Sequence, residues 1–485
     1  MIKGLLLKCL VFVAFGVILL HAQQQNQQDQ FITVIGDSLV GKMIAGESVR
    51  EVYGHVVLTQ GKVIITCDKA VQYLSRNNAD LEGNVIAKQD SLTILTPRGY
   101  YFGNEKRSRS VSGVTLNDTK IILTADSGDY FYKENRAFFQ GHVKMYDTAS
   151  TLTSKEMTYF KSQNKMIAVN NVKIVDSTNT IEADSLVYFR QTRITFANSN
   201  VKITNTGNNT VIFGNHLEDY AQRSYTLINK NPLLIQIDSS KTKDTTGNTN
   251  LSKNPRAGLG SAGQIIKPDS ASLHIDTLII RSNIMEAFRD TANRFEATDS
   301  VRILRGTFAS VNDYTIYYRK QERIVTKKMG PQRPQPILWN ENTQMTGDSI
   351  AIHLHNNRIR LLDVIGTGFL LSQNEIYKKR YDQISGEKIF ISFDSTGITS
   401  TEVKGQVLSI YFMYEKDSVN GLTKSSAQNA MILFKDRKVK TVSMYVFVKS
   451  DYYPEKMVEN KEPSYTLPGY VIFTNRPIKK DLIYK

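Results

Sequence analysis

Six valines, Val56, Val85, Val114, Val143, Val172 and Val201, stand 29 residues apart, and no other feature of the sequence constrains the fold so tightly. Seventeen residues after each of the first five comes an aromatic: Tyr73, Phe102, Phe131, Phe160 and Phe189, the last four preceded by Tyr101, Tyr130, Tyr159 and Tyr188. So many positions in one register are an internal repeat, and a repeat of this length is one supersecondary unit. The two residues before each valine are small or turn-forming: Gly54-His55, Gly83-Asn84, Ser112-Gly113, Gly141-His142, Asn170-Asn171 and Ser199-Asn200. Glycine and asparagine tolerate positive φ, so a bend or bulge is expected there in every copy. Beyond it, apolar residues fall two apart around a base, as in Val143-Lys144-Met145, Val172-Lys173-Ile174 and Val201-Lys202-Ile203. That is the period of a strand with one dry face. Upstream of the aromatic, Ile122-Leu123-Thr124-Ala125-Asp126 and Ile181-Glu182-Ala183-Asp184 read as a second strand kinked at an acid. Two kinked strands cannot bury their apolar face alone, so copies must stack and share one core. The expected fold is all-β, a stacked kinked-strand repeat with no sustained helical spacing.

The rest of the chain sets limits on this stack. Lys3 and Lys8 flank the start of an apolar run, Leu5 to Leu20, that ends in Leu20-His21-Ala22 before a glutamine-rich tract. This is the layout of a secretory signal peptide over residues 1–22, with an uncleaved anchor as the alternative. Without that segment Cys67 is the single cysteine, so no intramolecular disulfide is available. The whole chain carries +15, and loss of the leader's two lysines leaves 59 bases minus 46 acids, or +13. Such a balance suits an acidic partner such as a phosphorylated lipid, and equally an ordinary basic surface; export makes nucleic acid the poorer choice. Only Pro97 precedes Pro232, as continuous ladders require. Residues 237–271 shift to Ser, Thr, Lys, Asn and Gly and read as a disordered polar linker. Two β blocks are therefore expected, 31–236 and a diverged 272–450, with a short proline-rich break near Pro331 to Pro336 and a polar tail over 451–485. The second block repeats the unit clearly in Val301-Arg302-Ile303 with Tyr317-Tyr318, and loosely from Thr346 to Ile352.

The pattern Thr124-Ala125-Asp126-Ser127-x-x-Tyr130, followed by Ala137-x-x-x-Gly141-x-Val143, resembles the OstA/LptA family of lipopolysaccharide transport. Thr66-Cys67-Asp68 to Tyr73 with Ala79 to Val85, and Ile181 to Tyr188, fit it too. The likeness covers about residues 31–220, reaches 272–410 in fragments, and departs at Pro97-Arg98 and Lys155, where the acid is lost. The resemblance implies a slanted β-jellyroll open along one edge, in the periplasm, whose interior receives the acyl chains of lipopolysaccharide or lipid A. It further implies partners among the other lipopolysaccharide-transport components, joined through edge strands, and end-to-end self-association. The tail from Tyr465 to Tyr470, ending near Arg476-Pro477, is too short for the outer-membrane barrel of the large family member. A bridge to the outer membrane is therefore the expected role.

On that reading the candidate lipid-groove residues are Val56, Val85, Val114, Val143, Met145, Val172, Ile174, Val201 and Ile203. Each buried methylene contributes about 0.8 kcal/mol without directional preference, so a lipid would slide between copies. Core packing alone is an equal explanation of the valines. Lys144, Lys173, Lys202 and Arg302 alternate with them and are expected on the outer, solvated face. Asp126 and Asp184 recur at the repeat spacing, which points to a structural kink rather than to paired catalytic carboxylates. His353 and His355 share a strand face but lack a third ligand at metal spacing. No cofactor, metal or enzymatic activity is expected. The competing readings are a structural or adhesive extracytoplasmic β-repeat protein without lipid cargo and, less favoured because the acids do not cluster, a β-helix enzyme acting on polysaccharide.

Overall fold

The computed structural model describes residues 31–241 and 273–483, apart from 149, 208, 292, 356–357, 396, 416–417 and 436–437. The expected signal peptide, and the linker beyond residue 241, lie outside the described residues. Almost every element is an antiparallel strand, as the all-β class requires, and the longest described helix is Lys479–Ile483. The chain divides into two units, one running to Thr204 with Gly214–Thr226, the other comprising Asn205–Phe213 and everything from Leu227 on.

In the first unit β1 (Thr33–Ile35) and β2 (Ser38–Ile44) both pair with β3 (Glu47–Gln60). The chain then meanders through β4 (Val63–Tyr73), β5 (Asn78–Gln89) and β6 (Leu92–Phe102). In the third copy each strand is split at the kink, giving β7 (Arg107–Ser110), β8 (Val114–Asn117), β9 (Ile122–Ala125) and β10 (Ser127–Phe131). Whole strands resume with β11 (Arg136–Tyr146), β12 (Thr151–Phe160), β13 (Lys165–Val175) and β14 (Asn179–Phe189). One copy of the repeat is thus one pair of neighbouring strands.

The kinks fall where the turn-forming pairs stand. Register shifts separate Tyr53 from Val56, Glu82 from Val85, Gln140 from Val143 and Val169 from Val172. The residues between have positive φ, as at Gly54 (68°), His55 (39°), Asn170 (65°) and Asn171 (56°). Where the recurring acid is kept, it braces the bulge from the neighbouring strand: Asp37 meets His55 at 2.8 Å, Asp68 meets Asn84 at 2.9 Å, and Asp126 meets His142 and Asp184 meets Asn200 at 2.7 Å. The Asp126 N–H also donates to the Gly141 carbonyl at 2.9 Å. Gly141 has φ +77°, and any side chain there would collide with the Asp126 carboxylate. These acids are therefore structural, as their periodicity implies.

Period-two burial runs on both sides of the bulge in β3, β5 and β11, so both halves of these strands present a dry face. The packing alternates small with large: Gly128 has no Cβ because the Phe139 ring occupies that space. Leu58, Ile65, Leu81, Leu116, Phe139 and Met145 are all fully buried. Each such side chain stabilises the fold by about 1.5–3 kcal/mol relative to exposure.

The second unit uses the same kinked strands. Bulges recur at Asp299-Ser300, Gly366-Thr367 and Gly405-Gln406, with register shifts between Thr298 and Val301, Ile365 and Gly368, and Lys404 and Val407. The strands Leu233–Lys241 and Leu273–Arg281 pair along their whole length. The expected linker over 237–271 therefore begins inside a strand, because Ile237, the first residue after Leu233-Leu234-Ile235-Gln236, continues its ladder. The tail expected over 451–485 is also more than a polar extension: Val458, Leu467 and Leu482 are buried.

Candidate functional site

The nine groove candidates divide by copy. Val56, Val85, Val114, Val143, Met145, Val172 and Val201 are at most 5 % exposed, while Ile174 and Ile203 are half-buried. The position two residues past each valine shows the trend: Leu58, Ala87, Leu116 and Met145 are buried in the first four copies, and Ile174 and Ile203 are accessible in the fifth and sixth. Lys144, Lys173 and Arg302 are exposed, and Lys173 and Lys202 both approach Glu182, at 3.7 and 3.2 Å, on the outer face.

What closes the first copies is a seam that the sequence reading missed. Four residues after each valine comes a polar hairpin-tip residue, Gln60, Gln89, Asp118, Asp147 and Asp176, and 41 residues further on stand Tyr101, Tyr130, Tyr159, Tyr188 and Leu217. Tip and tyrosine belong to opposite ends of the strands, so contact between them shows that the kink brings the two halves together. Tyr101 donates to Gln60 Oε1 at 2.6 Å, and Gln60 Nε2 donates to the Gly103 carbonyl at 3.1 Å. Tyr159 donates to Asp118 Oδ2 at 2.5 Å, and Arg190 reaches the same oxygen at 3.3 Å. Burial alone would raise the Asp118 carboxyl, but the Tyr159 hydroxyl and the N–H groups of Ile121 and Lys120 outweigh it and hold the carboxyl below its ordinary value.

The seam is not uniform along the stack. Among the described residues Gln89 Oε1 is buried without a partner, and the Tyr130 hydroxyl meets Asn135 at 3.5 Å. Asp176 turns its carboxylate to the N–H groups of its own turn, Thr178 at 2.8 Å and Asn179 at 2.6 Å, and the residue 41 positions on is Leu217, which cannot donate. The seam tyrosines share the 29-residue spacing, so the signal was present in the sequence. Only the closure of the two halves shows that Tyr101 faces Gln60.

On the kink side, the loss of the acid at Pro97 has a visible consequence. Strand β6 pairs with β8 through Thr93–Leu95 and with β7 through Gly99–Phe102, leaving Thr96 to Arg98 without ladder partners on that side. A cleft of about 770 Å³ opens there, with Val85, Leu95, Pro97 and Val114 among its walls. Cys67 is buried and burial pushes its thiol up to about 11, so it acts as an apolar filler rather than a nucleophile. His353 pairs with Asp363 at 2.9 Å, and among the described residues no three metal-ligating side chains converge.

Geometry alone defines a class: a stack of kinked antiparallel strands around an apolar interior, laced by tyrosine hydrogen bonds at Gln60 and Asp118 and not at Asp176. Residues 30–184 match the model of the OstA-like protein family, and the likeness is confined to that stretch of the chain. Among solved structures, the chain is similar to LptH of Pseudomonas aeruginosa, described as the LptA-homologous periplasmic component of the conserved lipopolysaccharide transport device. The identity is 18 %, over 36 % of this chain and 85 % of that one, with a TM-score of 0.12. No curated protein matches the chain.

Proposed function

We propose that this protein is a periplasmic carrier of lipopolysaccharide or lipid A, part of a bridge to the outer membrane, which holds acyl chains between the two halves of its kinked strands. The observation that carries the reading is an OstA-like match over residues 30–184 in a repeat whose apolar stripe is dry in four copies and half-buried at Ile174 and, in the next copy beyond the match, at Ile203. Lipid tails enter where the seam lapses and part it toward the earlier copies. The magnitudes allow this: roughly ten buried methylenes contribute about 8 kcal/mol, while each seam hydrogen bond is worth about 1 kcal/mol net. Nothing in the process needs catalysis. The first edge supports assembly with other transport components or a second copy: all seven residues of β2 are exposed, including Leu39, Val40, Met43 and Ile44, and among the described residues β2 pairs with β3 alone, so its other edge can take a strand.

Photo-crosslinking residues at Ile174, Ile203 and the outward position Lys144, introduced one at a time in the native envelope, test the reading. Mass spectrometry should find lipid adducts at the two isoleucines and none at Lys144. Absence of lipid at Ile174 and Ile203, or equal capture at all three, would leave the structural or adhesive reading in place.

A further inference from the structure

The last bulge of the second unit breaks the rule that all the others obey. The Gln428 N–H donates to the Val446 carbonyl at 2.9 Å, as the Asp126 N–H does to Gly141, so Val446 and Phe447 occupy the bulge positions held elsewhere by Gly-His, Asn-Asn or Gly-Thr. Both have positive φ, 66° and 55°. A β-branched residue and an aromatic are poor occupants of that region, and strain of this kind clusters at functional sites. Its effect is to hold the Phe447 ring 90 % exposed at the end of the sheet.

The surroundings decide what meets that ring. The bulge joins the strands Lys438–Tyr445 and Lys449–Tyr453, which both pair with Ser418–Lys435. Val442, Tyr445, Val446 and Val448 are 43–52 % exposed beside Phe447. From Lys435 to Lys449 the sequence holds five bases (Lys435, Arg437, Lys438, Lys440 and Lys449) against one acid, Asp436. Lysines and a bulge on an edge discourage addition of another strand; β2 carries a single lysine, Lys42, and no bulge, whereas this edge carries Lys438, Lys440 and Lys449, the last within 3.9 Å of Asp451. Lys449 stands two residues past Phe447, while Lys438 and Lys440 lie further along the same edge, in the strand Lys438–Tyr445. An apolar bulge on an edge that carries cations along its length fits a surface that is anionic outside and apolar just below, the combination an acidic lipid leaflet presents.

We infer that the Val446-Phe447 bulge is a membrane-docking tip that inserts Phe447 into an anionic leaflet, with Lys438, Lys440 and Lys449 on the headgroups. It is independent of what the interior carries.

The test uses the full chain with Phe447→Trp, the unsubstituted chain supplying the contribution of buried Trp339. Vesicles of phosphatidylcholine containing phosphatidylglycerol should shift the emission of the new indole to shorter wavelength, with quenching by bromine-labelled acyl chains and reversal by salt. Vesicles of phosphatidylcholine alone should leave it unchanged. In the same background Lys438→Gln, Lys440→Gln and Lys449→Gln together should abolish the shift. Separately, Val446→Gly with Phe447→Asn should raise the melting temperature and remove the triggering feature, so loss of docking cannot be blamed on unfolding. No shift with either vesicle, an equal shift with both, or a shift that follows protein concentration without vesicles would overturn the inference, the last in favour of a second copy covering the tip.

Discussion

The two units close the interiors of similar kinked strands by different means. In the first, the closing residues belong to the repeat: Tyr101 to Gln60 and Tyr159 to Asp118 join the ends of the strands copy by copy. In the second, the chain beyond Tyr453 supplies them. Val458 and Leu467 pack with Phe369, Leu371, Ile410, Phe412 and Leu422. Gln383 donates to the Tyr465 carbonyl at 3.1 Å and accepts from the Leu467 N–H at 2.8 Å, and Gln344 holds Val471 and Phe473 in the same reciprocal way. Arg380 is bound to Glu455 at 2.5 Å and Glu462 at 3.4 Å. A closure made of modest hydrogen bonds can part locally. One made of a packed strap with a buried cation is held as a block, which suits a cap better than a cargo path.

This contrast can be broken most sharply at Arg380, whose side chain is 5 % exposed. Replacing Glu455 and Glu462 together by alanine strands the cation and should cost about 3–5 kcal/mol in chemical denaturation. Adding Arg380→Met should restore most of that; failure of the rescue would mean the strap is held by something else.

Next in size is a pH effect confined to the second unit. Among the described residues the Asp382 carboxylate accepts one hydrogen bond, from the Phe412 N–H at 2.9 Å, and burial pushes its carboxyl up to about 7. The folded state therefore keeps a proton that the unfolded state gives up, and stability falls as pH rises from the ordinary aspartate value toward 7. Asp382→Asn should flatten that slope and raise stability at pH 8 by on the order of a few kcal/mol.

The uneven seam predicts a smaller, asymmetric effect. Tyr159→Phe should cost about 1 kcal/mol and raise the hydrogen-exchange rate around Asp118, while Tyr130→Phe, whose hydroxyl makes only the 3.5 Å contact with Asn135, should change less. Equal costs would mean the Asp118 seam is no more firmly laced than the one at Tyr130. Because the Asp118 carboxyl lies below its ordinary value, its contribution is present above the ordinary aspartate value and is lost as pH falls through the lowered one.

Smallest is the contrast between two bulges. Gly113→Ala adds a methyl in open space and meets only the backbone penalty of φ +88°, about 1 kcal/mol. Gly141→Ala adds to that a collision with the Asp126 carboxylate and should lower the melting temperature further. Similar melting temperatures would show that the acid does not brace the kink.

The repeat, its kink and its two-faced strands were legible in the sequence because they are local: turn residues before Val143, alternation after it and an acid at Asp126 act through neighbouring strands at fixed spacing. The copies in the second unit were harder to read. At Gly405-Gln406 the brace is Glu387 rather than aspartate, and the flanking spacing has drifted. The nine groove residues were legible as inward-facing, but not that seven would be dry and Ile174 and Ile203 accessible.

The sequence alone thus determined the strand period, the bulge positions and the stacking, since each follows from backbone preference and one-sided apolarity over a few residues. Only the tertiary structure decided how the interiors close. A tyrosine meets a partner 41 residues away, and a polar-looking tail packs as a strap, because the kink angle and the packing of whole strands bring those groups within hydrogen-bonding reach.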